Sequence, residues 1–193
     1  MSKLYRIALV KQGKFNGGGV SSVCEFLFQI ISSVEYYQLE LFSIDTAYNS
    51  MVNIRLLSPR SWFRGVQSFE YFWHDHQVKH LGVCFSELEF QRYQPYRILT
   101  NLLNEFDLIQ IVAGSPATAY ICRDVNKPVC LQMATLSSLE RKSLFRKANF
   151  TRRLYGKIML PLVSRVEQKA LSKVSHVFAD TEYTRQAILP YIN

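Results

Sequence analysis

The chain opens with a short apolar strand, a loop containing three consecutive glycines, and an amphipathic helix. Residues 5–10 (YRIALV) have the composition of a buried strand, and the glycines follow at 17–19. Apolar residues then recur at helical spacing, which predicts a helix over 19–33 with one wide apolar face. Residues 38–44 (QLELFSI) predict a second strand. This order predicts a β-α-β unit with parallel strands and a right-handed crossover.

The rest of the chain continues the alternation of strands and helices. Further strands are predicted at 78–85, 107–113, 128–133 and 176–179. Helical patterns separate them, and the long helical region after residue 133 is expected to break near Pro161. Residues 46–71 have the least regular pattern. We therefore predict one α/β domain over 1–193, with a single Rossmann-like, doubly wound and mainly parallel sheet.

The composition is that of a globular protein without a membrane span. The chain has 193 residues, of which 48% are hydrophobic and 20% charged. It has no run of about 18 apolar residues, so no transmembrane helix is expected. The four cysteines form no CxxC pair and have apolar neighbours. They are interpreted as reduced, buried side chains, which favours a cytoplasmic location.

The net charge of +8 is concentrated in one segment. No acidic residue lies between Glu140 and Glu167. The basic residues in that interval are Arg141, Lys142, Arg146, Lys147, Arg152, Arg153, Lys157 and Arg165. The remaining 15 basic residues equal the 15 acidic ones, so the excess charge is local. Because apolar residues are interspersed with these cations, the segment suits an acceptor or anion surface for an anionic membrane or a phosphorylated lipid. Nucleic acid and a solvated helix face are the alternatives.

The glycine loop allows two interpretations. Glycine takes positive φ and lets a backbone approach a ligand closely, and a helix N-terminus behind the loop offers N–H groups to an anion. The loop is therefore either a phosphate site at the carboxyl ends of the strands or a tight turn. It matches neither GxxxxGK[ST] nor GxGxxG, so neither a P-loop nor a dinucleotide site is predicted.

Other polar residues are weaker candidates. Asp45, near the end of the second predicted strand, suits either a ribose hydroxyl or a solvated strand end. His74, His76 and His80 lie close together in sequence, but no further ligand completes a site at zinc-like spacing. They are interpreted as surface or capping histidines, and no metal is expected.

Two polar groups lie where loops would follow strands. Glu89, Arg92 and Arg97 occur in ELEFQRYQPYR and would either contact an acceptor or form a salt network at a helix start. Ser115 precedes Pro116 in a strand-to-helix turn, where it would either cap the helix or touch a ligand.

An ordered set of segments carries a family resemblance along nearly the whole chain. These segments are GGGVSSVCEFL, ELEFQRYQPYR, FDLIQIVAGSPATAY, KPVCLQMAT and EQKALSKVSHVFADTEYTRQAI. In order and spacing, the chain resembles the N-terminal, acceptor-side domain of GT-B retaining glycosyltransferases of family 4. The resemblance implies sugar transfer from a nucleotide-diphosphate sugar to a hydroxyl, without a metal or cofactor.

The resemblance also implies roles for residues and partners. Gly17, Gly18 and Gly19 would form a lid over the donor phosphates and border the acceptor site. The family usually has a histidine after the strand that matches 128–133, but this chain has Met133-Ala134-Thr135 there, so no catalytic residue is assigned. A donor-binding domain carrying Glu-x7-Glu would follow or lie on a second chain, and this half would be inactive alone.

The expected acceptor is an anionic lipid or a saccharide rather than nucleic acid. The expected location is cytoplasmic, peripheral at the inner face of the membrane. The alternative function is a non-catalytic Rossmann-like module that binds an anionic membrane surface or a partner chain.

Overall fold

Parallel strands form the centre of the molecule. The computed structural model describes residues 4–146 and 149–192, and the side chains of 142–146 and Arg152 lie outside that description. The strands are β1 (Tyr5–Gln12), β2 (Tyr37–Ile44), β3 (Ser68–Trp73), β4 (His76–Leu81), β5 (Leu108–Ala113), β6 (Val129–Met133) and β7 (His176–Ala179). In the described residues they form one sheet in the order β3-β4-β2-β1-β5-β6-β7, in which only β3 pairs antiparallel. This confirms the predicted α/β class with a Rossmann-like sheet.

Helices cover both faces of the sheet. They are α1 (Gly19–Ser32), α2 (Pro59–Arg64), α3 (Arg97–Leu103), α4 (Ser137–Arg146), α5 (Phe150–Leu171) and α6 (Glu182–Ile188), with a 3₁₀ helix over Pro116–Cys122. None of these helices is long and apolar enough to cross a membrane.

Two apolar cores result from the alternation of side chains along the strands. On one face, Ala8, Val10 and Phe42 pack in a large core with residues of α3, the 3₁₀ helix and α5. On the other face, Leu9 and Leu41 pack in a smaller core with the apolar stripe of α1. The helical spacing of that stripe is therefore what allows α1 to cover the sheet.

Strand β1 lies where the strand order reverses. Its parallel neighbours are β2 on one side and β5 on the other. In such sheets the loops that follow the central strands diverge, and a crevice opens outside their carboxyl ends. The glycine loop after β1 lies at this edge.

The segment predicted to be least regular is more ordered than its sequence indicated. Residues 46–67 contain α2, and β3 follows as the edge strand. The Asn53 side chain fixes the segment because its Nδ2 donates to the Ala47 carbonyl at 2.7 Å and its Oδ1 accepts from the Val83 N–H at 2.8 Å. The hairpin between β3 and β4 was missed because its turn contains no glycine. His74 and Asp75 adopt positive φ there instead.

The expected break near Pro161 is wrong. Helix α5 runs through Pro161 without interruption, and the helical region divides instead between Arg146, where α4 ends, and Phe150, where α5 begins. Burial of Met159 and Val163 on the packed face of α5 stabilises the helix on both sides of the proline. That burial outweighs the loss of one backbone hydrogen bond.

Candidate functional site: the cleft at the carboxyl edge of the sheet

The three consecutive glycines differ in conformation. Gly17 has φ 74°, and Gly18 has φ 88° and ψ 163°, a region that only glycine enters readily. Gly19 has no positive φ, and a Cβ built on it would meet no atom within 4 Å. The turn therefore explains Gly17 and Gly18, whereas nothing in the fold requires glycine at 19.

The glycine loop leads directly into the N-terminus of α1. Gly18 is the N-cap and has no side chain with which to cap the first turn. The Ser21 hydroxyl stabilises the loop by donating to the Gly17 carbonyl at 2.6 Å. The first N–H groups of a helix have no intrahelical acceptor and carry the positive end of the helix dipole. In α1 these groups belong to Gly19 and Val20, which both line a cleft.

This cleft, which we call the switch-point cleft, has a volume of about 320 Å³. Its lining residues are Gly19, Val20 and Val23 of α1, Val112, Ala113 and Gly114 from β5 and its following turn, Gln132, Met133, Ala134 and Thr135 from β6 and its following loop, and Glu140 and Asp180. The walls are therefore largely apolar, with two carboxyl side chains among the polar groups. Val20, Val23 and Val112 provide the apolar surface next to the helix N-terminus.

Side-chain and backbone hydrogen bonds hold the loops of the cleft together. Gln12, the last residue of β1, accepts from the Gly114 N–H at 3.3 Å and from the Thr118 hydroxyl at 3.1 Å through its Oε1. The Thr135 N–H donates to the Gly114 carbonyl at 3.0 Å. The loops after β1, β5 and β6 are thus fixed relative to one another, and the cleft between them is preformed.

Lys11 holds the start of the glycine loop, at residues 12–14, with its side chain. Its side chain is buried, and Nζ donates to the carbonyls of Lys14 at 2.5 Å, Gln12 at 3.2 Å and Gly13 at 3.4 Å. Burial lowers the pKa of this ammonium, and three carbonyls supply the hydrogen bonds that water would otherwise give. Lys11 is not among the predicted site residues, although a lone lysine after the apolar run IALV was the available signal.

A buried polar row lies beside Lys11. In the sheet register Lys11 is next to Ser43, and Ser43 is next to His80. The Ser43 hydroxyl lies 2.6 Å from His80 Nδ1, and His80 Nε2 lies 3.2 Å from Asp45 Oδ2. Tyr71 extends the row, because its hydroxyl donates to Ser43 at 3.4 Å and accepts from a loop N–H.

The row corrects two expectations. Asp45 is not a solvated strand-end acid but is buried, and His80 is a core histidine rather than a surface one. Burial raises the pKa of Asp45, but hydrogen bonds involving His80, Ser50 and the Ala47 N–H outweigh burial, so that the pKa is lowered overall. Because Ser43 is fully buried, this serine, histidine and aspartate hold the fold together rather than attack a substrate.

Glu89, predicted as an acceptor contact or part of a salt network, is buried and forms a bidentate ion pair with Arg141. This pair supports the salt-network interpretation of Glu89. Arg92 is engaged locally, with Nε donating to the Ser86 carbonyl. Ser115 is buried and precedes the 3₁₀ helix, but its side chain does not cap it, so the capping role is wrong.

The predicted anion surface is described only in part. Arg141 pairs with Glu89, and Arg153 is exposed on α5. The other proposed members have no described side chain or lie outside the described residues: Lys142, Arg146, Lys147 and Arg152.

Metal and thiol chemistry have no support in the part of the chain that is described. No cluster of three or more histidine, cysteine or acidic side chains there could hold a metal ion. All four cysteines are free. Burial raises the pKa of the Cys24 thiol to about 12, so it stays protonated near neutral pH.

Comparison with known proteins assigns the chain to no family. No protein-family model matches the chain, and no curated protein matches it.

Proposed function

We propose that this chain is the acceptor-side domain of a retaining glycosyltransferase that acts with a donor-binding domain or a second chain. Its reaction breaks the bond between the sugar anomeric carbon and the diphosphate of a nucleotide sugar. A bond to an acceptor hydroxyl oxygen replaces it, the bonding electron pair leaves with the diphosphate, and the hydroxyl proton is released. The sequence resemblance motivates this proposal, and the geometry of the switch-point cleft supports it.

The single observation that carries the proposal is Gly19. A glycine costs up to about 1 kcal/mol relative to alanine in a helix, the full amount applying to the helix interior. Neither a positive φ nor crowding compensates for that cost here. Close approach of a ligand to the helix N-terminus is a physical reason for the missing side chain. Gly17 and Gly18 would then shape the lid and Gly19 would admit the ligand.

The charges of the cleft divide it into two parts. The uncapped first turn of α1 attracts negative charge, so the leaving diphosphate would lie against Gly19 and Val20. Glu140 and Asp180 would repel a phosphate, but carboxylates accept hydrogen bonds well from hydroxyl groups. An acceptor saccharide would therefore bind toward these two carboxylates, with its apolar ring faces against the valines.

The helix N-terminus would contribute to the reaction electrostatically. Negative charge grows on the diphosphate oxygen as the sugar leaves, and preorganised N–H groups stabilise such charge without reorganisation. Lys11 acts indirectly, because it holds the carbonyls of the loop in place. It is a positioning residue for the lid.

Amide NMR of the isotope-labelled chain tests this proposal. On titration with uridine diphosphate, we expect shifts in the amide signals of Gly19, Val20 and Val23 and of residues 112–114, which line the cleft. Inorganic sulfate serves as the control for simple anion binding and should move these signals less. Shifts confined to the basic segment 141–165, or no shifts at millimolar ligand, would overturn the proposal.

The second candidate, a non-catalytic module that binds an anionic membrane, has a separate observation in its favour. Apolar side chains are exposed near the basic segment and away from the lining of the cleft. If this surface were the only functional one, the cleft signals would stay unchanged while lipid moved those of α2 and α5.

A further inference from the structure

The first half of α5 exposes an apolar stripe to solvent. Phe150, Leu154 and Ile158 follow one another at intervals of four residues and are 79%, 50% and 54% exposed. Successive residues are about 100° apart around a helix, so these three lie on one side. Gly156 and Met159 are buried on the other side. The helix therefore has apolar residues both toward the core and away from it.

Helix α2 presents a second group of exposed apolar residues. Phe63 is 94% exposed, and Leu57, in the turn before the helix, is 83% exposed. Trp62 is half exposed, with its indole N–H donating to the Arg55 carbonyl at 2.7 Å. The indole is thus held in place while much of its ring remains accessible.

The Glu87 region joins these two groups into one surface. The Leu56 N–H donates to Glu87 Oε2 at 2.9 Å, and Arg55 Nε lies 3.5 Å from Glu87 Oε1. From the other side, the Tyr155 hydroxyl donates to the Glu87 carbonyl at 3.0 Å. One residue therefore contacts both the segment that leads into α2 and the exposed half of α5. We call the combined area the α2–α5 surface, comprising Leu57, Trp62, Phe63, Phe150, Leu154 and Ile158.

Positive charge surrounds this surface. Arg60 and Arg64 are exposed on α2, and Arg153 and Lys157 are exposed on α5. The segment from 141 to 166 contains eight basic residues and no acidic residue. Contiguous exposed apolar groups mark interaction sites. Their combination with a local excess of cations matches the layered chemistry of an anionic bilayer, in which negative headgroups lie above acyl chains.

We propose that the α2–α5 surface docks the protein on an anionic lipid bilayer. The aromatic and aliphatic side chains enter the headgroup boundary, and the flanking cations bind lipid phosphates. This inference does not depend on the proposed glycosyltransferase function, because none of its residues lines the switch-point cleft.

Vesicle flotation of the full chain tests the proposal. We expect binding to phosphatidylcholine vesicles containing about one-third phosphatidylglycerol and weak binding to phosphatidylcholine alone. Raising NaCl from about 0.1 M to about 0.5 M should reduce the bound fraction. The double variant Phe63→Ser and Ile158→Ser should reduce it at least about fivefold, because both apolar contacts are lost.

Phe72→Ser is the matched control, since Phe72 is 75% exposed on β3, outside the α2–α5 surface. This variant should bind vesicles as the native chain does. Fluorescence provides a second measurement. Trp62 is exposed, whereas the other tryptophan, Trp73, packs against Phe15 and Phe28. Vesicles with brominated acyl chains should therefore quench Trp62 emission, and a Trp62→Phe variant should lose most of that quenching.

Three results would overturn the proposal. The native chain could fail to bind anionic vesicles, or the control variant could lose as much binding as the double variant. The native chain could also prove to be a dimer that the double variant makes monomeric, which would assign the surface to a second copy of this chain.

Discussion

Single polar residues at the carboxyl edge of the sheet are buried, which is unusual for their residue types. Lys11, Ser43 and His80 are polar side chains buried side by side in three neighbouring strands. A buried polar group is costly unless it finds partners. Here the partners are loop carbonyls for Lys11 and each other for Ser43 and His80, and the Asp45 carboxylate lies 3.2 Å from His80 Nε2. The row therefore ties the glycine loop and the end of β2 to the sheet.

Asp45→Asn tests this role through the pH dependence of stability. The folded state lowers the pKa of Asp45, so its carboxylate stabilises the fold above the unfolded pKa of about 3.9. That stabilisation is lost as the pH falls through the lowered folded value. We expect Asp45→Asn to lower the free energy of unfolding by about 1–3 kcal/mol at about pH 7 and by much less at about pH 3.

Urea unfolding at the two pH values provides the measurement. Asp75→Asn is the control, because Asp75 is exposed in the hairpin turn and asparagine also tolerates its positive φ of 63°. The control should change stability little at either pH. Equal destabilisation by Asp45→Asn at both pH values would contradict a role for the ionised carboxylate.

At the scale of elements, the sequence predicted those helices and strands that depend on the local pattern of apolar residues. The helical spacing of α1 and the apolar runs of β1, β5 and β6 specified a parallel α/β sheet, and the loop after β1 fell at its carboxyl edge. Contacts between distant residues could not be predicted in the same way. Asp45 meets His80 only because β2 pairs with β4, and Glu89 meets Arg141 only after the helices have packed.

Gly82 shows how the segment between β2 and β3 is fixed to the sheet. A Cβ at this position would lie 2.1 Å from the Val52 carbonyl oxygen and 2.7 Å from the carbonyl carbon. Because both atoms belong to the backbone, Gly82→Ala must displace the segment. We expect a loss of about 1–3 kcal/mol in the free energy of unfolding, with faster proteolysis within 46–67.

Gly114→Ala is the matched control for that substitution. Gly114 has no positive φ, and its nearest neighbouring atom would be 4.0 Å from the new Cβ. Urea unfolding and limited proteolysis should leave this variant close to the native protein. If Gly82→Ala behaved in the same way, the close packing against Val52 would not be needed to hold the segment.

At the scale of the whole molecule, two separate surfaces combine different sets of chemical groups. The switch-point cleft combines a helix N-terminus with carboxyl groups and apolar walls, and for this reason we propose that it binds a diphosphate and a hydroxyl acceptor. The α2–α5 surface combines exposed apolar side chains with the local excess of positive charge. The sequence indicated the charge and left Phe63 either exposed on such a surface or buried. The exposure of Phe63 and Phe150 required the structure, because phenylalanine is among the residue types most often buried.

The central claim is that the glycine loop and the first turn of α1 bind the diphosphate of a nucleotide sugar. The most direct measurement compares the dissociation constant of uridine diphosphate for the native chain, for Gly19→Ala and for Ser22→Ala. Ser22 is exposed in the same helix but does not line the cleft. Gly19→Ala should weaken binding at least about tenfold, which corresponds to about 1.4 kcal/mol, while the free energy of unfolding stays equal or rises by up to about 1 kcal/mol. Ser22→Ala should bind as the native chain does. Unchanged affinity in Gly19→Ala would contradict the claim and leave the glycines as a turn.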